Sequence, residues 1–97
     1  MKLVKNGTAG TMESCDILVQ VEKTDGKKVS VELDSSVMSL YGNKIREVIL
    51  ETVKECGVSG VKIVAVDKGA LDCTIRARVK TALLRACEST EYGWNVK

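Results

Sequence analysis

Asp16-Ile17-Leu18-Val19-Gln20-Val21-Glu22-Lys23-Thr24-Asp25-Gly26-Lys27-Lys28-Val29-Ser30-Val31-Glu32-Leu33 is the stretch on which the fold turns. Ile17, Val19 and Val21 alternate with Asp16, Gln20 and Glu22, Leu18 being the one misfit, and Val29, Val31 and Leu33 alternate with Lys28, Ser30 and Glu32. A period of two puts one set of side chains on each face of a strand. Between the two runs, Thr24-Asp25-Gly26-Lys27 supplies Asp-Gly turn chemistry, so the segments read as a β-hairpin.

Downstream, Asp34-Ser35-Ser36 offers helix-capping side chains. Val37, Leu40, Ile45, Val48, Ile49, Thr52, Val53 and Cys56 then recur at helical spacing until Gly57 ends the run. Val61-Lys62-Ile63-Val64-Ala65-Val66 is β-branched and strand-like, and Asp67-Lys68-Gly69 breaks it. The next stretch supports two readings. Leu71, Cys73, Ile75, Ala77 and Val79 alternate, while Leu71, Ile75, Val79, Ala82, Leu83 and Ala86 also fit one helical face. Choosing a strand to about Arg78 and a helix to about Cys87 gives an α+β fold of order ββαββα. It is a two-layer arrangement: a four-stranded, mainly antiparallel sheet with two helices on one face.

Upstream of the hairpin, Gly7-Thr8-Ala9-Gly10-Thr11 reads as a pliable leader of small residues, carrying Glu13-Ser14-Cys15-Asp16 into the first strand. Glycine tolerates most backbone angles and small side chains leave room for another protein, so the leader suits a hydroxyl that must be reached. The organisation expected is one domain over 1–97, with residues 1–14 a flexible leader and the polar residues 88–97 a tail. Trp94 in that tail either packs back on the domain or contacts a partner subunit.

A chain of 97 residues buries about 60–65% of its unfolded surface, enough for a core without metals or disulfides and with little spare bulk for a deep enclosed active site. The hydrophobic 44% contains no Phe, and the aromatics are only Tyr41, Tyr92 and Trp94, so the core must be aliphatic. Fifteen basic and thirteen acidic residues, interspersed to a net charge of +2, leave no basic stripe for nucleic acid. No segment approaches the ~18 apolar residues of a membrane span, and the start has too short an apolar run for a signal peptide. A cytoplasmic protein is expected.

Cys15, Cys56, Cys73 and Cys87 lie 41, 17 and 14 residues apart, without the close spacing of a zinc knuckle or redox pair. Reduced thiols follow. Cys56, Cys73 and Cys87 fall on apolar faces, where a thiol acts as a small hydrophobe, and Cys15 stands apart beside Ser14. The chain has no histidine, which removes Ser-His-Asp and Cys-His nucleophilic systems and imidazole metal ligation. Ser14 is therefore better read as a substrate of another enzyme. Glu13 and Asp16 flank it, but nothing in the sequence suggests a pocket or a perturbed pKa.

Several motifs fall in a familiar order: Ala9-Gly10-Thr11-Met12-Glu13-Ser14, Ser35-Ser36-Val37, Gly42, Asp67-Lys68-Gly69-Ala70-Leu71-Asp72-Cys73 running on to Arg76-Ala77-Arg78, and Leu83-Leu84-Arg85-Ala86. Over nearly its full length the chain resembles the acyl carrier, or gamma, subunit of citrate lyase. The resemblance implies that Ser14 bears a covalent 2'-(5''-phosphoribosyl)-3'-dephospho-CoA through a phosphodiester, attached by a prosthetic-group transferase. It also implies a carrier that turns nothing over alone. The alpha subunit (CoA-transferase) would exchange acetyl for citrate, and the beta subunit (citryl lyase) would release oxaloacetate. Members of that family commonly have glycine or another small residue after the serine, where this chain has Cys15.

The blander readings stay open beside these. Ser14 as a bare turn hydroxyl is what the residues alone favour; the resemblance reverses that. Asp67–Asp72 reads as a tight inter-strand turn with Gly69 at a positive backbone angle, or else as a docking loop near the arm. Arg76, Arg78 and Lys80 read as the solvated side of a strand, although guanidinium groups also suit phosphate. The alternatives for the whole chain are the carrier of a citramalate lyase or malonate decarboxylase, or an unmodified interaction module.

Overall fold

The computed structural model describes residues 3–24, 26–35 and 38–87, with the side chains of 38–40 left aside. The tail at 88–97 with Tyr92 and Trp94, Asp25 of the expected turn, and Ser36-Val37 of the expected helix cap lie outside the described residues. Six elements follow one another: β1 (Gly7–Ala9), β2 (Ile17–Lys23), β3 (Val29–Ser35), α1 (Met38–Glu55), β4 (Val61–Asp67) and α2 (Asp72–Cys87). The fold is α+β with four strands and two helices, in the sheet order β1-β2-β4-β3.

β2 and β3 form where the alternation predicts, but they do not pair as a hairpin. β4 lies between them, antiparallel to β2 from Ile17↔Asp67 to Lys23↔Val61 and parallel to β3 from Val29↔Val61 to Ser35↔Asp67. The reason is at the start of β4. Thr24 N–H donates to the Gly60 carbonyl at 3.0 Å, and Val61 N–H donates to the Lys28 carbonyl at 3.1 Å. The connection therefore bonds to the incoming strand instead of closing on itself. Gly60 permits this, with φ +67 and the Gly26 carbonyl oxygen 2.4 Å from where a Cβ would stand. A strand rich in Val and Ile, inward at Val61, Ile63 and Ala65 and half-buried on its other side, is suited to an interior place with neighbours on both edges. β3, exposed at Ser30, Glu32 and Asp34, is suited to an edge.

Residues 72–78, where the alternation predicts a strand, are helical. Of the alternating set, Cys73 and Ala77 are exposed while Ile75 and Val79 are buried, and the buried row continues through Ala82, Leu83 and Ala86 at helical spacing. The helix wins because its face closes the core against β1, β2 and α1, whereas the alternation continues only to Val79.

The fourth strand comes from the leader instead. Gly7–Ala9 pairs antiparallel with β2, Gly7↔Val21 to Ala9↔Val19, so its small residues fit the chain's own packing and not only the approach of a partner. A Cβ on Gly7 would lie 2.3 Å from the Ala82 carbonyl oxygen and 3.0 Å from the Ala86 Cβ. Arg85 of α2 adds a bond from Nη1 to the Thr8 carbonyl at 2.8 Å.

α1 ends as the sequence predicts. Gly57 has φ +69, its N–H donates to the Lys54 carbonyl at 3.0 Å, and Val58 N–H reaches back to Val53 at 3.5 Å. These are the paired bonds of a Schellman cap, and Val58 is buried beneath them. The core is aliphatic, with Ile17, Val19, Val21, Ile49, Val61, Ile63, Ile75, Val79 and Leu83 fully enclosed between sheet and helices. Each such side chain contributes about 1.5–3 kcal/mol relative to its exposed state. Thr52 is buried too, and its hydroxyl donates to the Val48 carbonyl at 2.8 Å.

Candidate functional site

Between β1 and β2 the chain makes a loop whose tip is Ser14. Its entry is fixed at Gly10, with φ +96 and the Ile17 carbonyl oxygen 1.8 Å from the position a Cβ would take. Its exit is a turn in which Asp16 N–H donates to the Glu13 carbonyl at 3.2 Å. Ser14 is exposed, and among the described residues its hydroxyl has no hydrogen-bond partner. Cys15 follows with φ +66, the one described non-glycine residue at positive φ. Its backbone conformation is the kind that glycine adopts without steric cost.

Asp16 holds this turn. Oδ1 accepts from Ile17 N–H at 2.7 Å and Arg78 Nε at 3.0 Å, and Oδ2 accepts from Thr11 Oγ1 at 2.7 Å and Arg78 Nη2 at 3.0 Å. Thr11 Oγ1 in turn accepts from Glu13 N–H at 3.2 Å. The Arg78 guanidinium first, then the Thr11 hydroxyl and the Ile17 amide, hold the Asp16 carboxyl well below the ordinary carboxylate range. A carboxylate so occupied anchors the backbone and is poorly suited to take a proton from Ser14. The expectation of unperturbed flanking acids thus fails at Asp16, whose pairing with Arg78 links α2 to the strand entrance. Nothing short-range in the sequence signals that pairing. Arg76 turns the other way, to Glu51 at 2.9 Å and Glu55 at 3.5 Å on α1.

The turn is tied to a second one. Cys15 N–H donates to the Lys68 carbonyl at 2.8 Å and Lys68 N–H to the Asp16 carbonyl at 2.9 Å, continuing the β2–β4 ladder past its ends. Just before Lys68, the fully buried Asp67 carboxylate accepts from Gly69 N–H at 3.1 Å, Ala70 N–H at 3.0 Å and Ser35 Oγ at 2.9 Å. Gly69 has φ +89, so the expected tight turn is present, leading into α2 and not into a strand. Beyond it, Gly69–Cys73 and residues Tyr41, Lys44 and Ile45 of α1 line a groove of about 600 Å³. Cys73, expected on an apolar face, is exposed here, while Cys56 is half-buried and Cys87 buried. Burial pushes the Cys56 and Cys87 thiols up, which keeps them protonated and unreactive at neutral pH. The described residues contain no cluster of metal-ligating side chains.

The arrangement presents an exposed hydroxyl that no base among the described residues contacts, on a turn held by Asp16 and Arg78 and tied to Lys68. The family model described as "Malonate decarboxylase delta subunit (MdcD)", of the acyl carrier type, matches residues 4–86. The citrate lyase acyl carrier protein of Pectobacterium atrosepticum is 48% identical over 94 residues, 97% of each chain. That of Streptococcus mutans is 47% identical over 97% of this chain and 92% of its own. In fold, the chain is similar to a Thermus thermophilus protein of solved structure, with TM-score 0.54 and 16% identity, over 90% of this chain and 16% of that one. With a full-length relative at nearly half identity and a family model over most of its residues, the chain belongs to the citrate lyase acyl carrier protein family.

Proposed function

We propose that this chain is the acyl carrier (gamma) subunit of citrate lyase, with Ser14 Oγ joined by a phosphodiester to a phosphoribosyl-dephospho-CoA. The observation that carries the reading is the exposed Ser14 hydroxyl at the tip of a turn anchored by Asp16 and Arg78, in a chain of an acyl carrier family. When bound, the group supplies a thiol that holds the acyl unit as a thioester. The protein's own residues do the rest. Thr11, Asp16 and Arg78 fix the turn, Cys15 and Lys68 brace it against β4, and the exposure of Ser14 leaves its oxygen open to a transferase that brings its own base.

The chain is non-catalytic in this role. A CoA-transferase alpha subunit and a citryl lyase beta subunit act on the tethered acyl group from outside, and tethering makes each transfer effectively intramolecular, at an effective concentration of order millimolar. A cytoplasmic location fits this assembly, and no helix among the described residues is long and apolar enough to cross a membrane. The description of the matching family model favours one second reading, the carrier of a malonate decarboxylase, which would use the same serine with another acyl unit.

Intact mass of the chain from its native host, followed by fragmentation, tests this. An adduct on Ser14 of the mass of phosphoribosyl-dephospho-CoA, free or acylated, is expected, and the acyl mass separates citrate lyase from malonate decarboxylase. An unmodified Ser14 in an active complex would sink the proposal and leave an interaction module.

A further inference from the structure

The groove beside the Ser14 turn has no role in the attachment just described. Its floor is Ile45, buried to 4% exposure, and its walls carry two large side chains left in the open, Tyr41 at 56% and Leu71 at 69% exposure. About 600 Å³ is the volume of a site for a small organic molecule. Lys44 and Asp72 line it as well, one donor group and one acceptor group, which together match an amide. The Lys68 carbonyl is bonded to Cys15 N–H, the neighbour of Ser14, and Gly69, the next residue, already lines the groove.

We infer that this groove is the resting place of the distal part of the arm on Ser14, the amide-linked chain ending in the thiol. The inference rests on the carrier reading above. Its physical basis is the tether: a group hung from Ser14 samples a neighbouring groove at an effective concentration of order millimolar, so even millimolar intrinsic affinity keeps the groove about half occupied. Apolar contact with Leu71, Tyr41 and Ile45 together with amide bonding to Lys44 and Asp72 is sufficient for an affinity of that order. Between transfers the thioester is then shielded from water, and a partner subunit recovers it by competing for the arm.

Two-dimensional amide spectra of the full chain from a host that loads it, compared with Ser14→Ala from the same host, give the test, with intact mass establishing loading. Loaded wild type is expected to shift the amides of Tyr41, Lys44, Ile45 and Gly69–Cys73 as well as those of the Ser14 turn. Leu71→Asp removes one apolar wall without threatening the fold. Leu71 is exposed, its carbonyl accepts the first bond of α2 from Ile75 N–H at 3.0 Å, and aspartate is favoured at that helix-capping position. The variant is expected to load to the same mass and to lose most of the groove shifts. Its acylated arm should also be cleaved by hydroxylamine about twofold faster, as a half-occupied groove requires. A loaded wild type with shifts confined to residues 13–16 and 68 overturns this inference alone. A wild-type chain with no mass on Ser14 overturns the carrier reading and this inference with it.

Discussion

Arg78 and Asp16, 62 residues apart in the chain, are joined by two parallel hydrogen bonds of 3.0 Å, Nε to Oδ1 and Nη2 to Oδ2. One contact ties the middle of α2 to the turn that presents Ser14. A bidentate guanidinium fixes orientation as well as distance, which an ammonium does not do.

Arg78→Ala should therefore loosen the turn before it loosens the core. The amides of Asp16, which bonds Glu13, and of Cys15, which bonds Lys68, are expected to exchange with solvent about tenfold faster, while those of β4 keep their protection. Arg78→Lys should recover only part of the difference. Unchanged exchange at Cys15 and Asp16 in Arg78→Ala would show that the backbone bonds hold the turn by themselves.

The same contact sets a pH dependence. Because Arg78, Thr11 and the Ile17 amide lower the Asp16 carboxyl in the folded chain, the unfolded chain takes up the proton first as pH falls. The stabilisation is then fully present above the unfolded value of about 3.9 and is lost progressively below it, toward the lower folded value. Urea midpoints measured from pH 6 down to pH 2.5 should fall less steeply in Asp16→Asn than in wild type. Parallel acid limbs for the two proteins would contradict the assignment.

Cys15 occupies a left-handed conformation, φ +66, that costs a residue with a Cβ about 1 kcal/mol relative to glycine. Cys15→Gly is thus expected to raise the urea midpoint by an amount corresponding to about 1 kcal/mol, and Cys15→Val to lower it. If Cys15→Gly is less stable than wild type, the flexibility it adds to the unfolded chain outweighs the strain relieved.

How far the sequence reached can be judged from these elements. Strand positions β2, β3 and β4 were legible because period-two alternation and β-branching are local properties of those residues. The end of α1 at Gly57 and the positive φ of Gly69 were legible because glycine is a local signal too. Pairing was not legible: the hairpin reading took Asp25-Gly26 at face value, whereas Gly60, far along the chain, admits the Gly26 carbonyl and lets β4 enter between β2 and β3. The helix from Asp72 competes in the sequence with a strand reading, because Cys73 and Ala77 continue an alternation by chance. At the site, Ser14 is an expectation that resemblance alone supplies, whereas the contacts of Asp16, Arg78 and Asp67 run across the fold and no spacing encodes them.

Gly7 is the strictest test of the leader's structure. It is not at a positive φ, so glycine is required there by space alone, with the Ala82 carbonyl oxygen 2.3 Å, the Ala86 amide nitrogen 2.7 Å and the Ala86 Cβ 3.0 Å from a Cβ position. Two of those three atoms are helix backbone and cannot rotate away. Gly7→Ala must therefore push β1 off α2, straining the Gly7↔Val21 pairing and the Arg85 bond to the Thr8 carbonyl. Overpacking of this kind costs about 1–3 kcal/mol. A urea titration of Gly7→Ala should show that loss, and the amides of Val19 and Val21, which face β1, should exchange faster while Ile63 in β4 does not. Thr8→Ala, at an exposed position on the same strand, should leave both measurements unchanged. A Gly7→Ala protein as stable as wild type would mean that β1 does not sit against α2, and that the residues ahead of Ser14 are the pliable leader their composition suggests.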